Sequence, residues 1–69
     1  MKIIQFSKIL RDLREERKIK QKELADIMGV SQATISMWEK NASEPDIDKI
    51  RRLSNYFGVS TDYLLGLED

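Results

Sequence analysis

The 69-residue chain contains no cysteine and no histidine. These two absences exclude a disulfide framework, a thiolate nucleophile and the usual zinc ligand sets, and they suit a reducing cytoplasm. Long apolar runs are missing as well. Uninterrupted apolar stretches reach at most three residues, against the roughly 18 a membrane helix needs. The opening MKIIQFSK also lacks the apolar region of a signal peptide. The expectation is a soluble, unexported, cytoplasmic protein with no membrane partner.

An excess of charge is absent too. Twelve Lys and Arg balance twelve Asp and Glu, and the pI near 6.2 argues, as an average, against a polyanion partner. The average hides a split. Residues 1–40 carry nine basic against six acidic side chains, and residues 41–69 carry three against six. The N-terminal part is therefore the basic part, although a split of this size also arises by accident in charged domains.

What is present is helical periodicity. A chain this short forms one domain and buries only about 60% of the surface its unfolded form exposes, so each apolar position matters. Phe6, Ile9, Leu10 and Leu13 repeat at i, i+3, i+4 and i+7, which predicts a first helix from about Ser7 to Arg17. Leu24, Ile27 and Met28 mark a second, shorter helix beginning at Gln21, which Gly29 can end in the left-handed conformation. Ser31 is suited to cap a third helix over Gln32 to about Lys40, with Ile35 and Trp38 inward.

Asn41, Ala42 and Ser43 lead away as a polar loop that closes at Glu44 and Pro45. Asp46 can cap a fourth helix, in which Ile47, Ile50, Leu53 and Phe57 repeat at helical spacing and Gly58 ends the run. Val59 and Ser60 repeat the Val30 and Ser31 pair, so Thr61 to Leu65 should form a last short helix stopped by Gly66. The expected fold is all-α, a compact five-helix bundle in a single domain over residues 1–69. There is no linker, low-complexity segment or internal repeat.

Two short helices joined by a Gly-centred turn make a helix-turn-helix, whose second helix enters the major groove of DNA. Here that unit is about 21–40, with Ala25 small enough to let the two helices approach where they cross. At about 100° per residue, Gln32, Ala33, Ser36, Met37 and Lys40 occupy an arc of roughly 140° opposite Ile35 and Trp38. A face turned only to water favours long charged side chains, whereas a face that rests on base edges needs short or uncharged groups. Gln can pair bidentately with adenine, Ser can serve several base edges, and Ala or Met can touch a thymine methyl. Gln32, Ala33, Ser36 and Met37 are thus candidate base-reading residues; the bland alternative is a polar, solvated face.

Gln21 opens the second helix, where its side chain and the free N–H groups of that helix end could hold a phosphate. Lys20, Lys22, Lys40 and Asn41 border the same surface; each alone reads first as an ordinary exposed residue, and their clustering makes them candidate phosphate contacts.

The stretch RDLREERKIKQKELADIMGVSQATISMWEK resembles the Cro/repressor-type helix-turn-helix family of phage and bacterial regulators. The similarity continues through EPDIDKIRRLSNYFGVSTDYLLG and so covers nearly the whole chain. The resemblance implies a five-helix repressor-type domain binding double-stranded operator DNA, usually as a homodimer on an inverted repeat, with the third helix as reader. Half-sites should then lie about one helical turn, roughly 34 Å, apart. By position, Gln32, Ala33, Ser36 and Met37 match the family's base-facing residues, Gln21 its phosphate-binding Gln, and Lys40 and Asn41 its backbone contacts.

Arg14 and Glu39 match a salt bridge joining the first helix to the third, and a guanidinium fork on a carboxylate would fix the angle of the reading helix. Two positions depart from the pattern. Lys20 stands where a Ser or Thr cap is common, and Asn41 stands where a Gly is common, although Asn tolerates the left-handed conformation. Related repressors often continue into a sensing or oligomerising domain, so the chain is either a fragment or a small complete regulator.

Two other classes compete. An enzyme is disfavoured, because there is no phosphate-binding Gly loop and the carboxylates space out as surface charge. No cofactor, metal or small-molecule substrate is called for. A protein-interaction module of the same fold, such as an antitoxin-like or regulatory subunit, remains the alternative. Tyr56, Tyr63, Leu64, Leu65 and Leu67 gather near the C-terminus, where they either form a homodimer contact or close the small core.

Overall fold

Helix α1 spans Ile4–Glu16, α2 Gln21–Met28, α3 Gln32–Glu39, α4 Ile47–Phe57 and α5 Thr61–Leu64. The computed structural model describes residues 4–68, and among these there is no strand. The start MKI lies outside the described residues. Helix α1 begins earlier than the apolar spacing predicts, so Phe6 sits within the helix and not ahead of it, and it ends one residue sooner.

The early stop has a local cause. Lys18 takes a positive φ of 57°, its N–H donates to the Glu15 carbonyl, and the Ile19 N–H turns back to the Arg14 carbonyl. This pair of bonds is the Schellman closure, which satisfies carbonyls that the helix itself leaves open. The other four helices close through the same kind of left-handed residue, at Gly29, Asn41, Gly58 and Gly66. At α3 the Asn41 N–H reaches the Trp38 carbonyl and the Ala42 N–H reaches the Met37 carbonyl. The residue following each left-handed turn is apolar, and Ile19, Val30 and Val59 pack against the core.

Helix starts follow side-chain chemistry. Ser31, Asp46 and Ser60 each accept the N–H of the residue three positions on, from Thr34, Lys49 and Tyr63. Arginines from neighbouring elements complete two helix ends: Arg17 donates to the Phe57 carbonyl and Arg52 to the Met28 carbonyl. A guanidinium at a helix C-terminus both fills an open acceptor and complements the negative end of the dipole. Arg17 also lies over the Tyr56 ring at 5.3 Å.

The core gathers Phe6 and Leu10 from α1, Leu24, Ala25 and Met28 from α2, Ile35 and Trp38 from α3, Leu53 and Phe57 from α4, and Leu64 from α5. Full burial of one such large side chain contributes about 1.5–3 kcal/mol, so most of the favourable term of this small fold lies in this one cluster. Helix α2 packs on α3 and α4, while α1 packs on α3 and α5.

Ile9, Leu13 and Ile50 of the expected apolar repeats pack against this cluster while partly buried, but two other residues of those repeats are exposed. Ile27 is 48% exposed and Ile47 is 75% exposed. Ile27 lies about 60° beyond Leu24 on the side away from Ala25, past the edge of the buried face. Ile47 is likewise about 60° from Ile50, at the first position of α4.

Candidate nucleic-acid interface

The unit that carries the expected site is α2, a three-residue turn and α3. Gly29 makes the turn with φ 71°, a region in which any side chain is strained, and Cβ placed there would meet nothing within 4 Å. The position therefore favours glycine for its backbone and not for space. Val30 follows, half-buried, with its N–H on the Ala25 carbonyl. Ser31 then opens α3, its Oγ accepting the Thr34 N–H at 3.1 Å and lying 2.9 Å from Thr34 Oγ1. Closure of one helix and capping of the next thus occupy three consecutive residues and hold α3 in a fixed direction.

Ile35 and Trp38 are buried as expected, and Glu39 is buried beside them at 7% exposure. On the opposite side Gln32, Ala33 and Met37 are exposed, Ser36 is half-buried, and Lys40 is exposed just past the helix end. The structure therefore brings the four candidate base-reading residues onto one open, uncharged face. Lys20 and Lys22 are exposed and Asn41 is half-buried.

The carboxylate of Glu39 would work against a polyanion on that face if it pointed outward. It points inward instead. Arg14 Nε donates to Glu39 Oε2 at 2.7 Å and Arg14 Nη2 to Glu39 Oε1 at 3.1 Å, a two-point fork. Arg14 Nη1 also donates to the Ile19 carbonyl at 2.9 Å. The hydrogen bond that Arg14 donates to Glu39 raises the Arg14 pKa above its ordinary value, outweighing the burial that lowers it. The pair thus ties α1, the approach to α2 and the end of α3 together, and it neutralises the only carboxylate of α3.

Gln21, a candidate phosphate contact from the sequence, also has a partner inside the protein. It is half-buried, and its Nε2 donates to Glu39 Oε1 at 3.1 Å. One of its two amide N–H groups is therefore committed inside the protein. No local pattern signals this bond, because its partners are 18 residues apart in sequence. Lys20 takes an extended N-cap conformation without a side-chain cap bond, as it must, since an ammonium group has no acceptor. The Glu23 carboxylate reaches back to the Lys20 N–H at 3.0 Å, leaving the opening N–H groups of α2 without a cap from Lys20.

The fold, the turn and the face together define a helix-turn-helix domain. The chain belongs to the helix-turn-helix family, whose model matches residues 10–64. Among curated proteins it is 36% identical over 64 residues to the HTH-type transcriptional regulator ImmR of Bacillus subtilis, an alignment covering 93% of this chain and 50% of ImmR.

Among solved structures, a transcriptional regulator from Listeria innocua superposes with a TM-score of 0.88 at 31% identity, over 93% of this chain and 60% of that one. The c2 repressor of phage P22, solved in complex with a synthetic operator, superposes with a TM-score of 0.85 at 35% identity, over 91% of this chain and 96% of that one. The chain spans about half the length of the first of its curated relatives. These relatives are transcriptional regulators, one of them a repressor.

Proposed function

We propose that this chain is a DNA-binding domain of a bacterial or phage transcriptional regulator, acting as a repressor in the cytoplasm, that reads the major groove of a double-stranded operator with α3. The observation that carries the reading is the outer face of α3, exposed at Gln32, Ala33 and Met37, together with the burial and neutralisation of Glu39. A helix whose accessible side offers only uncharged groups, flanked by exposed Lys20, Lys22 and Lys40, can come close to base edges without repelling phosphate. The operator in the superposing c2 repressor structure supports the same partner.

In this reading Gln32, Ala33, Ser36 and Met37 face bases, while Gln21, Lys20, Lys22, Lys40 and Asn41 face the sugar-phosphate backbone. Two copies bind an inverted repeat as a homodimer. Tyr63 and Leu67, 42% and 69% exposed beside the buried Leu64, supply apolar surface for that contact. Sedimentation at increasing concentration should show the mass rise from one chain to two. Among the described residues no helix is long and apolar enough to cross a membrane.

The direct test is binding to duplex DNA across a salt series. Affinity should fall as salt rises, with a log–log slope of about 0.9 per phosphate neutralised. A protein that ignores duplexes of every sequence at low salt would leave the protein-interaction reading in its place.

A further inference from the structure

We propose that Glu39 is a positioning residue for DNA contact, which orders the Gln21 carboxamide for the phosphate backbone while Arg14 cancels its charge. The inference deepens the DNA-binding reading and rests on it.

Ionised Glu39 only accepts hydrogen bonds. Its Oε1 receives Arg14 Nη2 and Gln21 Nε2, each at 3.1 Å, while Oε2 receives Arg14 Nε at 2.7 Å. A carboxamide facing such an oxygen must present its NH2 end, because the flipped amide would set oxygen against oxygen. Glu39 therefore fixes which end of Gln21 points inward. The bond commits one N–H and leaves the second N–H and Oε1 for groups outside.

Gln21 is also the first residue of α2, beside backbone N–H groups that the Lys20 side chain does not cap. An anion arriving there meets one ordered side-chain donor next to ordered backbone donors, all carried on the positive end of a helix. A free glutamine would have to be immobilised on binding, and immobilising a flexible side chain weakens affinity. Glu39 makes that ordering part of folding. Burial at 7% exposure and the Arg14 fork keep the carboxylate from repelling the phosphate that its neighbour holds. The same network connects the start of α2 to the end of α3, so a phosphate bound at Gln21 is registered against the reading face.

Four proteins test this: wild type, Gln21→Ala, Glu39→Gln and the double substitution, each titrated with a duplex of arbitrary sequence at several salt concentrations. The temperature is one at which thermal unfolding shows all four folded. Gln21→Ala should weaken binding about tenfold, as for one hydrogen bond to a charged acceptor. It should leave the salt slope unchanged, because glutamine releases no counterion. Glu39→Gln should weaken binding several-fold more when Gln21 is present than in the Gln21→Ala background. A purely structural Glu39 would produce the same change in both backgrounds.

Should Glu39→Gln fail to fold, the wild-type protein decides by NMR. One Gln21 side-chain amide proton should exchange more slowly than those of exposed Gln32, and the other should shift on addition of the duplex. Gln21 amide protons that exchange like those of Gln32, or that ignore the duplex, overturn the proposal. Wild-type binding with additive effects of the two substitutions overturns this inference alone, whereas a wild type that binds no duplex overturns the DNA-binding reading with it.

Discussion

Arg14 and Glu39 meet through two hydrogen bonds across 25 residues of sequence, with side-chain exposures of 13% and 4%. An exposed pair contributes little, but removing one partner of a buried pair leaves the other charge uncompensated. Arg14→Ala should therefore lower unfolding stability by about 3 kcal/mol and weaken duplex binding with it. Chemical denaturation and a binding titration check both effects, and an unchanged denaturation midpoint would remove the pair from the account.

The pH dependence of this contribution has a definite sign. The Arg14 pKa is raised on folding, so its stabilisation is fully present below the unfolded value and is lost only as pH rises through the still higher folded value. Both lie beyond the ordinary alkaline range. Between pH 7 and 10 the difference in stability between wild type and Arg14→Ala should stay constant. Denaturation of both proteins at those two pH values checks it.

Lys18 and Gly29 are both left-handed, with φ 57° and 71°, yet only one is glycine. A residue with Cβ incurs roughly 1–2 kcal/mol there. Gly29→Ala should destabilise by about that amount through backbone strain alone, since the added methyl meets no neighbour. Lys18→Gly should stabilise by up to about 1 kcal/mol, the strain relieved less the extra entropy of glycine in the unfolded chain. Opposite shifts in melting temperature are the expected outcome, and shifts of the same sign would contradict it.

Leu10 and Leu24 are fully buried, and each sits on a helix that packs against α3. Truncating either to Ala should cost about 2–5 kcal/mol, the lost transfer energy plus the cavity left behind. In a domain this small such a loss is a large share of total stability. Both variants should be mostly unfolded well below the wild-type melting temperature, as circular dichroism would record.

Most of the architecture was legible because its signals are local. Ser31, Asp46 and Ser60 carry their own acceptors, Gly29, Gly58 and Gly66 announce left-handed turns, and Ile35 and Trp38 mark the inner side of α3. Other features depend on what lies opposite. The periodicity of Ile27 and Ile47 is genuine, but burial requires neighbours on that side, and the two stay 48% and 75% exposed. Lys18 gave no sign of its turn, since its side chain has no preference for positive φ.

At the site, the open face of α3 follows from helical geometry alone. The Arg14 pair was legible only through family resemblance. The Gln21 bond to Glu39 was not legible at all, because it joins the beginning of one helix to the end of the next.

In the proposed function the outer face of α3 distinguishes bases. Selection from random duplexes, run in parallel on wild type, Gln32→Ala and Lys40→Ala, tests it most directly. The wild type should enrich one motif, and Gln32→Ala should lose preference at one base pair of each half-site, a discrimination of about 1–3 kcal/mol. Lys40→Ala should keep the motif while binding every sequence more weakly and with a salt slope smaller by about one. A Gln32→Ala profile identical to that of the wild type, or no enriched motif at all, would contradict the assignment of α3 as the reader.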